Sequence, residues 1–69
     1  MLTNYKVKTI IYPHGQYWLG KAAPVIDEGA FYRINESHII DKDEIIKIDQ
    51  DDKKISLTMK SRNVVLIVE

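Results

Sequence analysis

The sequence predicts a mainly β chain, a small antiparallel barrel of SH3-like or OB-like type with about five to six short strands and at most one short helical turn. Three observations carry this expectation. Ile (11) and Val (5) together outnumber Leu (4) and Ala (3) by 16 to 7, and a branched Cβ stiffens χ1 in a way that suits a pleated surface better than a helix. Apolar and polar residues alternate with a period of two in several short runs. Turn-forming residues punctuate those runs at short intervals. An AT-rich coding sequence would also raise Ile, and Lys over Arg (eight to two), so periodicity rather than composition decides the point.

The first run covers residues 4–12. It places Tyr5, Val7, Thr9 and Ile11 on one face, with Lys6, Lys8, Ile10 and Tyr12 on the other. On this parity Tyr12, among the lysines, is the ring expected in solvent. Tyr12-Pro13-His14-Gly15 suits a type I turn, with Pro at the second position and Gly at the fourth. A second strand is expected over residues 17–23, with Gly20 marking a bulge and Pro24 its end or an edge position. Ile26-Asp27-Glu28-Gly29-Ala30 reads as a tight hairpin connection, with Gly29 suited to the left-handed position of a three-residue loop, into a returning strand at 30–34. Asn35-Glu36-Ser37-His38 reads as a capped turn or short 3₁₀ piece, and Ile39-Ile40 as a brief extended stretch tucked under the barrel.

Residues 41–54 admit two readings. Asp41 followed by Glu44 imitates a helix capping box, but after Ile48 the next six residues, Asp49-Gln50-Asp51-Asp52-Lys53-Lys54, offer nothing apolar for a second turn to bury. A strand over 44–49, a polar loop and a strand over 54–59 are therefore expected. Ile55, Leu57 and Met59 alternate there with Ser56 and Thr58. Ser61-Arg62-Asn63 is read as a turn with Asn63 in the left-handed region, and 64–68 as the last strand. Both faces of that strand are apolar, with Val64, Leu66 and Val68 on one and Val65 and Ile67 on the other. Either it lies centrally and is covered on both sides, or one face meets another chain. A meander sheet packed on a partner subunit is the alternative to the barrel.

Length and charge bound the function. Sixty-nine residues predict one domain over residues 1–69. A core this small supplies about 3–5 kcal/mol, so a partner subunit is one way to add stability. There is no Cys, which removes disulfides, thiolate zinc sites and a cysteine nucleophile, and fits a reducing cytoplasm. The start of the chain, Met1 to Lys6, has neither the apolar run nor the cleavage site of a targeting sequence. The longest apolar run, Val64-Val65-Leu66-Ile67-Val68, is far short of a membrane span. A cytoplasmic protein with no membrane contact is expected.

The formal net charge is zero, but it is unevenly spread. Residues 1–26 carry Lys6, Lys8 and Lys21 and no acid, whereas residues 41–52 hold six acids against two lysines. The acidic stretch lacks the Gly and Glu positions of a calcium loop, because Ile46 or Lys54 stands where the Gly is needed. It is read as solvated turns. His14 and His38, 24 residues apart, show no ligand spacing and are read as two exposed turn histidines, so no metal and no cofactor are expected. Ser37-His38 is no nucleophilic dyad, since neighbours in an extended segment point to opposite faces.

All aromatics lie in the basic part or its neighbouring hairpin: Tyr5, Tyr12, Tyr17, Trp18, Phe31 and Tyr32. Rings beside lysines suit a protein interface, where Trp and Tyr dominate, or single-stranded nucleic acid, where rings stack on bases. The expectation is a non-enzymatic binding module, an adaptor, inhibitor or assembly subunit. Its partner is another protein or a second copy of itself. The candidate binding residues are Tyr12, Tyr17, Trp18, Tyr32, Lys6 and Lys8, and Val65 and Ile67 are the candidate oligomer interface. Weak single-stranded nucleic acid binding through the Lys/aromatic face is the alternative.

Overall fold

A computed structural model describes residues 2–69; Met1, where the stretch read for a targeting signal begins, lies outside them. The described residues form seven strands: β1 (Lys6–Tyr12), β2 (Gly15–Asp27), β3 (Phe31–Ile34), β4 (His38–Asp41), β5 (Ile45–Gln50), β6 (Lys54–Met59) and β7 (Asn63–Val68). All pairings are antiparallel, and the order β4-β3-β2-β1-β7-β6-β5 makes one curled half-barrel sheet. Among the described residues the only helical pieces are the 3₁₀ turns Leu2–Asn4 and Lys42–Glu44. The small antiparallel β architecture is thus as the sequence predicts. The extra strand is β4, which the sequence suggests only as a brief extended stretch.

Consecutive strands are neighbours everywhere except at β4 and β5, which form the two edges of the sheet. The turn Lys42–Glu44 joins these edges and is fastened to both halves. The Lys42 amide donates to the Ala30 carbonyl at 3.1 Å, and the Lys60 amide donates to the Glu44 carbonyl at 2.8 Å. Asp41 opens this turn in extended backbone without a side-chain cap, so the capping-box pattern produces one turn and stops.

The curl depends on an irregularity between β1 and β2. Val7 pairs with Ala23 and Thr9 with Trp18, so residues 19–22 bulge opposite Lys8. Gly20 lies in this bulge with φ +77, a left-handed backbone that glycine adopts without steric cost. The same β2 then passes Pro24 and pairs with β3 through Val25–Asp27. A strand that bends through a bulge and changes partner is how a sheet turns a corner. Pro24 therefore sits inside a long strand rather than ending it, which corrects the expected boundary.

The bulge also overturns the predicted parity of β1. Val7, Ile10 and Tyr12 are buried, while Thr9 and Ile11 are half-buried on the outer face. A strict period of two puts Tyr12 beside the lysines, but the shift between Val7 and Thr9 turns the second half of the strand over. Tyr12, expected in solvent, is only 8% exposed.

The core takes one face of each central strand: Ile10 from β1, Ile55 and Leu57 from β6, Val64, Leu66 and Val68 from β7. Val25, Ile34 and Ile40 come over from the other half of the sheet. Ile40 is buried and its neighbour Ile39 exposed, so only one of that pair tucks under. Burying a side chain of this size contributes about 1.5–3 kcal/mol, and no charged residue is buried among the described residues. Apart from glycines, the left-handed positions among the described residues are Asn35 (φ 51) and Glu36 (φ 65), in the turn between β3 and β4. Asn63, expected there, opens β7 in ordinary conformation.

The hairpin expected over 26–30 forms, with its loop shortened to 28–30 because β2 continues to Asp27. Gly29 has φ +98, its amide donates to Asp27 Oδ1 at 2.8 Å, and the Glu28 amide donates to the Phe31 carbonyl at 2.9 Å. Lys42 Nζ reaches the same carboxylate oxygen at 2.8 Å. Donation from Lys42 first, and from Gly29 second, holds Asp27 below the usual carboxylate range. The same bond holds Lys42 above its ordinary value.

Candidate functional site

Two groups of side chains stand out, on opposite faces of the sheet. Between them they take three of the six predicted binding residues, Tyr12, Tyr17 and Trp18.

The first group lies on the outer face. Thr9 is paired with Trp18 on one side and Ile67 on the other, and Ile11 is paired with Gln16 and Val65. Paired residues in an antiparallel ladder share a face, so two rows cross three strands: Trp18-Thr9-Ile67 and Gln16-Ile11-Val65. β7 is central, between β1 and β6, yet Val65 and Ile67 are only half-buried, and on β6 their rows continue into Ser56 and Lys54. Trp18 is 77% exposed. A residue type usually buried against something is here left almost bare on a partly apolar surface.

The second group lies inside the curl, at the end of the sheet where the β1–β2 and β6–β7 turns meet β4. Tyr17 is paired with buried Ile10 and therefore faces inward, opposite to its neighbour Trp18. It joins Tyr12, His14 and His38. Tyr12 stacks on His14 with ring centroids 5.3 Å apart, and Tyr17 approaches Tyr12 at 5.4 Å edge-on and His38 at 5.3 Å. The Tyr12 hydroxyl and His38 Nδ1 are hydrogen-bonded at 3.0 Å, as are His14 Nε2 and the Tyr17 hydroxyl at 3.0 Å, with the imidazole tautomers fixing which atom donates. Arg62, from the β6–β7 turn, places its guanidinium 4.9 Å from the Tyr12 ring centroid. Burial pushes the Tyr12 hydroxyl above its ordinary pKa; Arg62 pulls it back, and Tyr17 adds to the rise.

This cluster corrects the reading of the histidines. His14 is exposed, but His38 is half-buried, and both are engaged by tyrosines. Tyr12, His14 and Tyr17 belong to one hairpin, but spacing along the chain gives no sign of His38, which meets them only through the curl. The Pro13-bearing turn after Tyr12 and the left-handed turn before His38 are what bring them to one rim. No group of three or more His, Cys, Asp or Glu able to hold a metal occurs among the described residues.

The remaining predicted residues fall elsewhere. Tyr32 is half-buried on β3, with Lys42 Nζ 4.8 Å from its ring centroid. Lys6 and Lys8 are exposed, Lys6 opposite Pro24 and Lys8 in the irregularity beside Thr9. The six predicted binding residues are therefore not one site. Two are in the inner cluster, one is on the outer face, and Tyr32 stands apart under its own lysine. Among the described residues no pocket is present and no helix is long and apolar enough to cross a membrane. The chain matches no protein-family model, no curated protein and no solved structure.

Proposed function

We propose that the chain is a non-enzymatic binding module of the cytoplasm whose outer face, centred on Trp18, holds another protein. The observation that carries this reading is a tryptophan 77% exposed at the end of the row Trp18-Thr9-Ile67. Ile11 and Val65 lie beside it. Tryptophan is enriched at the energetic centre of protein interfaces because it buries a large rigid surface at little conformational cost. A partly apolar patch without a pocket among the described residues suits a protein surface better than a small molecule. The hairpin-to-hairpin connectivity favours the SH3-like over the Greek-key OB-like reading of the barrel.

The nucleic acid alternative has less support. It needs rings and cations interleaved on one face, yet Tyr17 and Trp18 point to opposite faces and Tyr12 is buried.

The test is recovery of a partner with a tagged chain from the native host, followed by binding of the two purified proteins. Trp18→Ala is expected to weaken that binding by about 30-fold or more, the effect of losing an interface hot spot. Affinity is expected to change little between about 50 and about 200 mM salt. A partner that binds the Trp18→Ala chain as well as the wild type would refute the assignment of the face. Oligonucleotide binding that falls steeply over the same salt range would replace it with the nucleic acid reading.

A further inference from the structure

β5 is an edge strand whose far side is paired with nothing among the described residues. Every residue from Ile46 to Gln50 is exposed. Ile48 is paired with Leu57, which is 1% exposed, so it points into the curl, yet Ile48 itself is 40% exposed because the sheet ends there. Lys47 and Asp49, paired with Thr58 and Ser56, point to the outer face. Their charged atoms lie 3.7 Å apart, with 68% and 60% of the side chains exposed.

The backbone of this edge can be assigned. The Asp51 amide donates to the Lys54 carbonyl at 2.8 Å, closing the β5–β6 hairpin. In an antiparallel ladder the residues that exchange hydrogen bonds alternate, so Asp49 and Lys47 turn their amides and carbonyls to β6. Ile48 and Gln50 turn theirs to the open edge. Solvent-facing edges are ordinarily guarded by charges that repel a second strand. The pair on β5 has the opposite property.

We propose that a second copy of this chain pairs antiparallel along β5, about a two-fold axis at Ile48. In that register Ile48 exchanges both backbone hydrogen bonds with its own copy, and the two Ile48 side chains cover each other at the rim of the curl. Lys47 then stands opposite the partner's Asp49, and Asp49 opposite the partner's Lys47, in the non-hydrogen-bonded positions where side chains come closest. The two half-barrels become one continuous sheet. The charge pattern commits the occupant: Lys-Ile-Asp read backwards against itself puts opposite charges face to face at both positions. This inference uses no residue of the Trp18 rows and stands independently of the function proposed above.

Sedimentation equilibrium tests it. The wild-type mass is expected to rise from one chain towards two as concentration increases through about 10 to about 500 µM, the range of a weak edge contact. Lys47→Asp places two acids opposite each other, and Asp49→Lys two lysines; each is expected to raise the dissociation constant about tenfold or more. An equimolar mixture of the two variants restores both opposite-charge pairs and is expected to form a heterodimer at least as readily as wild type. Amide exchange supplies a readout that needs no variant. The Ile48 amide is expected to slow as protein concentration rises, while the Lys47 and Asp49 amides, already bonded to β6, do not change. Trp18→Ala is expected to dimerise like wild type. A one-chain mass over the whole range, no recovery on mixing, or a monomeric Trp18→Ala chain would each overturn the proposal.

Discussion

The Tyr12 hydroxyl lies 3.0 Å from His38 Nδ1, a hydrogen bond that spans 26 residues of sequence and two intervening strands. It links the last residue of β1 to the first residue of the edge strand β4. A second tyrosine mirrors it: Tyr5, just before β1, donates to Gln50 Oε1 at 3.0 Å at the end of the other edge strand, β5. The central strand thus reaches across the concave side to both edges. These two bonds help to hold a seven-stranded sheet curled when its edges do not pair with each other.

The Tyr12–His38 bond is partly buried, so its contribution should be measurable. Tyr12→Phe keeps the ring and is expected to lower unfolding free energy by about 1 kcal/mol, the net value of a hydrogen bond of this kind. Tyr5→Phe removes a solvent-exposed bond and is expected to cost less. A double-mutant cycle of Tyr12→Phe with His38→Ala, read by urea unfolding, should give a coupling of about 0.5–1.5 kcal/mol. A coupling indistinguishable from zero would mean that the curl does not depend on this contact.

The same hydroxyl makes the fold sensitive to alkali. Burial raises the Tyr12 pKa above its unfolded value near 10. A group whose proton is held more tightly in the folded state contributes stability below its unfolded pKa and loses it as the pH climbs through the raised folded value. Wild-type stability should therefore fall above pH about 10 more steeply than that of Tyr12→Phe. Comparing the two chains at each pH cancels the contributions common to both. Parallel profiles would contradict the assignment of the raised value to Tyr12.

The sequence makes some of this legible and hides the rest for a physical reason. Local rules find β6 and β7, because Ile55, Leu57, Met59, Val64, Leu66 and Val68 keep an unbroken period of two and all are buried. They find the Gly29 hairpin, because a left-handed residue there has a chemical signature. Gly20 marks the bulge, but its consequence for β1 lies on a different strand, and reading β1 alone puts Tyr12 on the wrong face. The inner cluster is less visible still. Tyr12, His14 and Tyr17 are close because they lie in or beside the β1–β2 turn, but His38 joins them from the edge strand β4, and no spacing along the chain encodes that meeting. The exposure of Trp18 is similarly non-local, following from which β1 residue it faces across the shifted ladder.

Gly20 offers a direct test of the bulge. A Cβ there would meet no atom within 4 Å, so space is not the constraint; φ +77 is. Gly20→Ala is expected to destabilise by about 1–2 kcal/mol, the cost of a left-handed backbone for an L-residue with a Cβ. Gly20→Asn should cost less, because Asn tolerates that region. Equal effects of the two substitutions, or a stabilising Ala, would show that residue 20 adopts an ordinary conformation in solution.

Trp18 and Leu66 separate the outer face from the core. Both are large apolar residues in paired strands, and composition alone treats them alike. Leu66 is 0% exposed at the centre of β7, paired with Ile10 and Ile55, which are equally buried. Leu66→Ala removes buried methyl groups and leaves a cavity the surrounding strands cannot fill, so a loss of about 2–5 kcal/mol is expected. For a chain of this size that is much of the total stability, and the variant should be largely unfolded. Trp18 makes little contact for its size, and Trp18→Ala should stay within about 0.5 kcal/mol of wild type in urea unfolding. The contrast carries weight for function as well, since a substitution that leaves the fold intact can report on binding without ambiguity. A destabilisation by Trp18→Ala comparable to that of Leu66→Ala would place the indole in the core, and the protein-binding assignment of the outer face would lose its central residue.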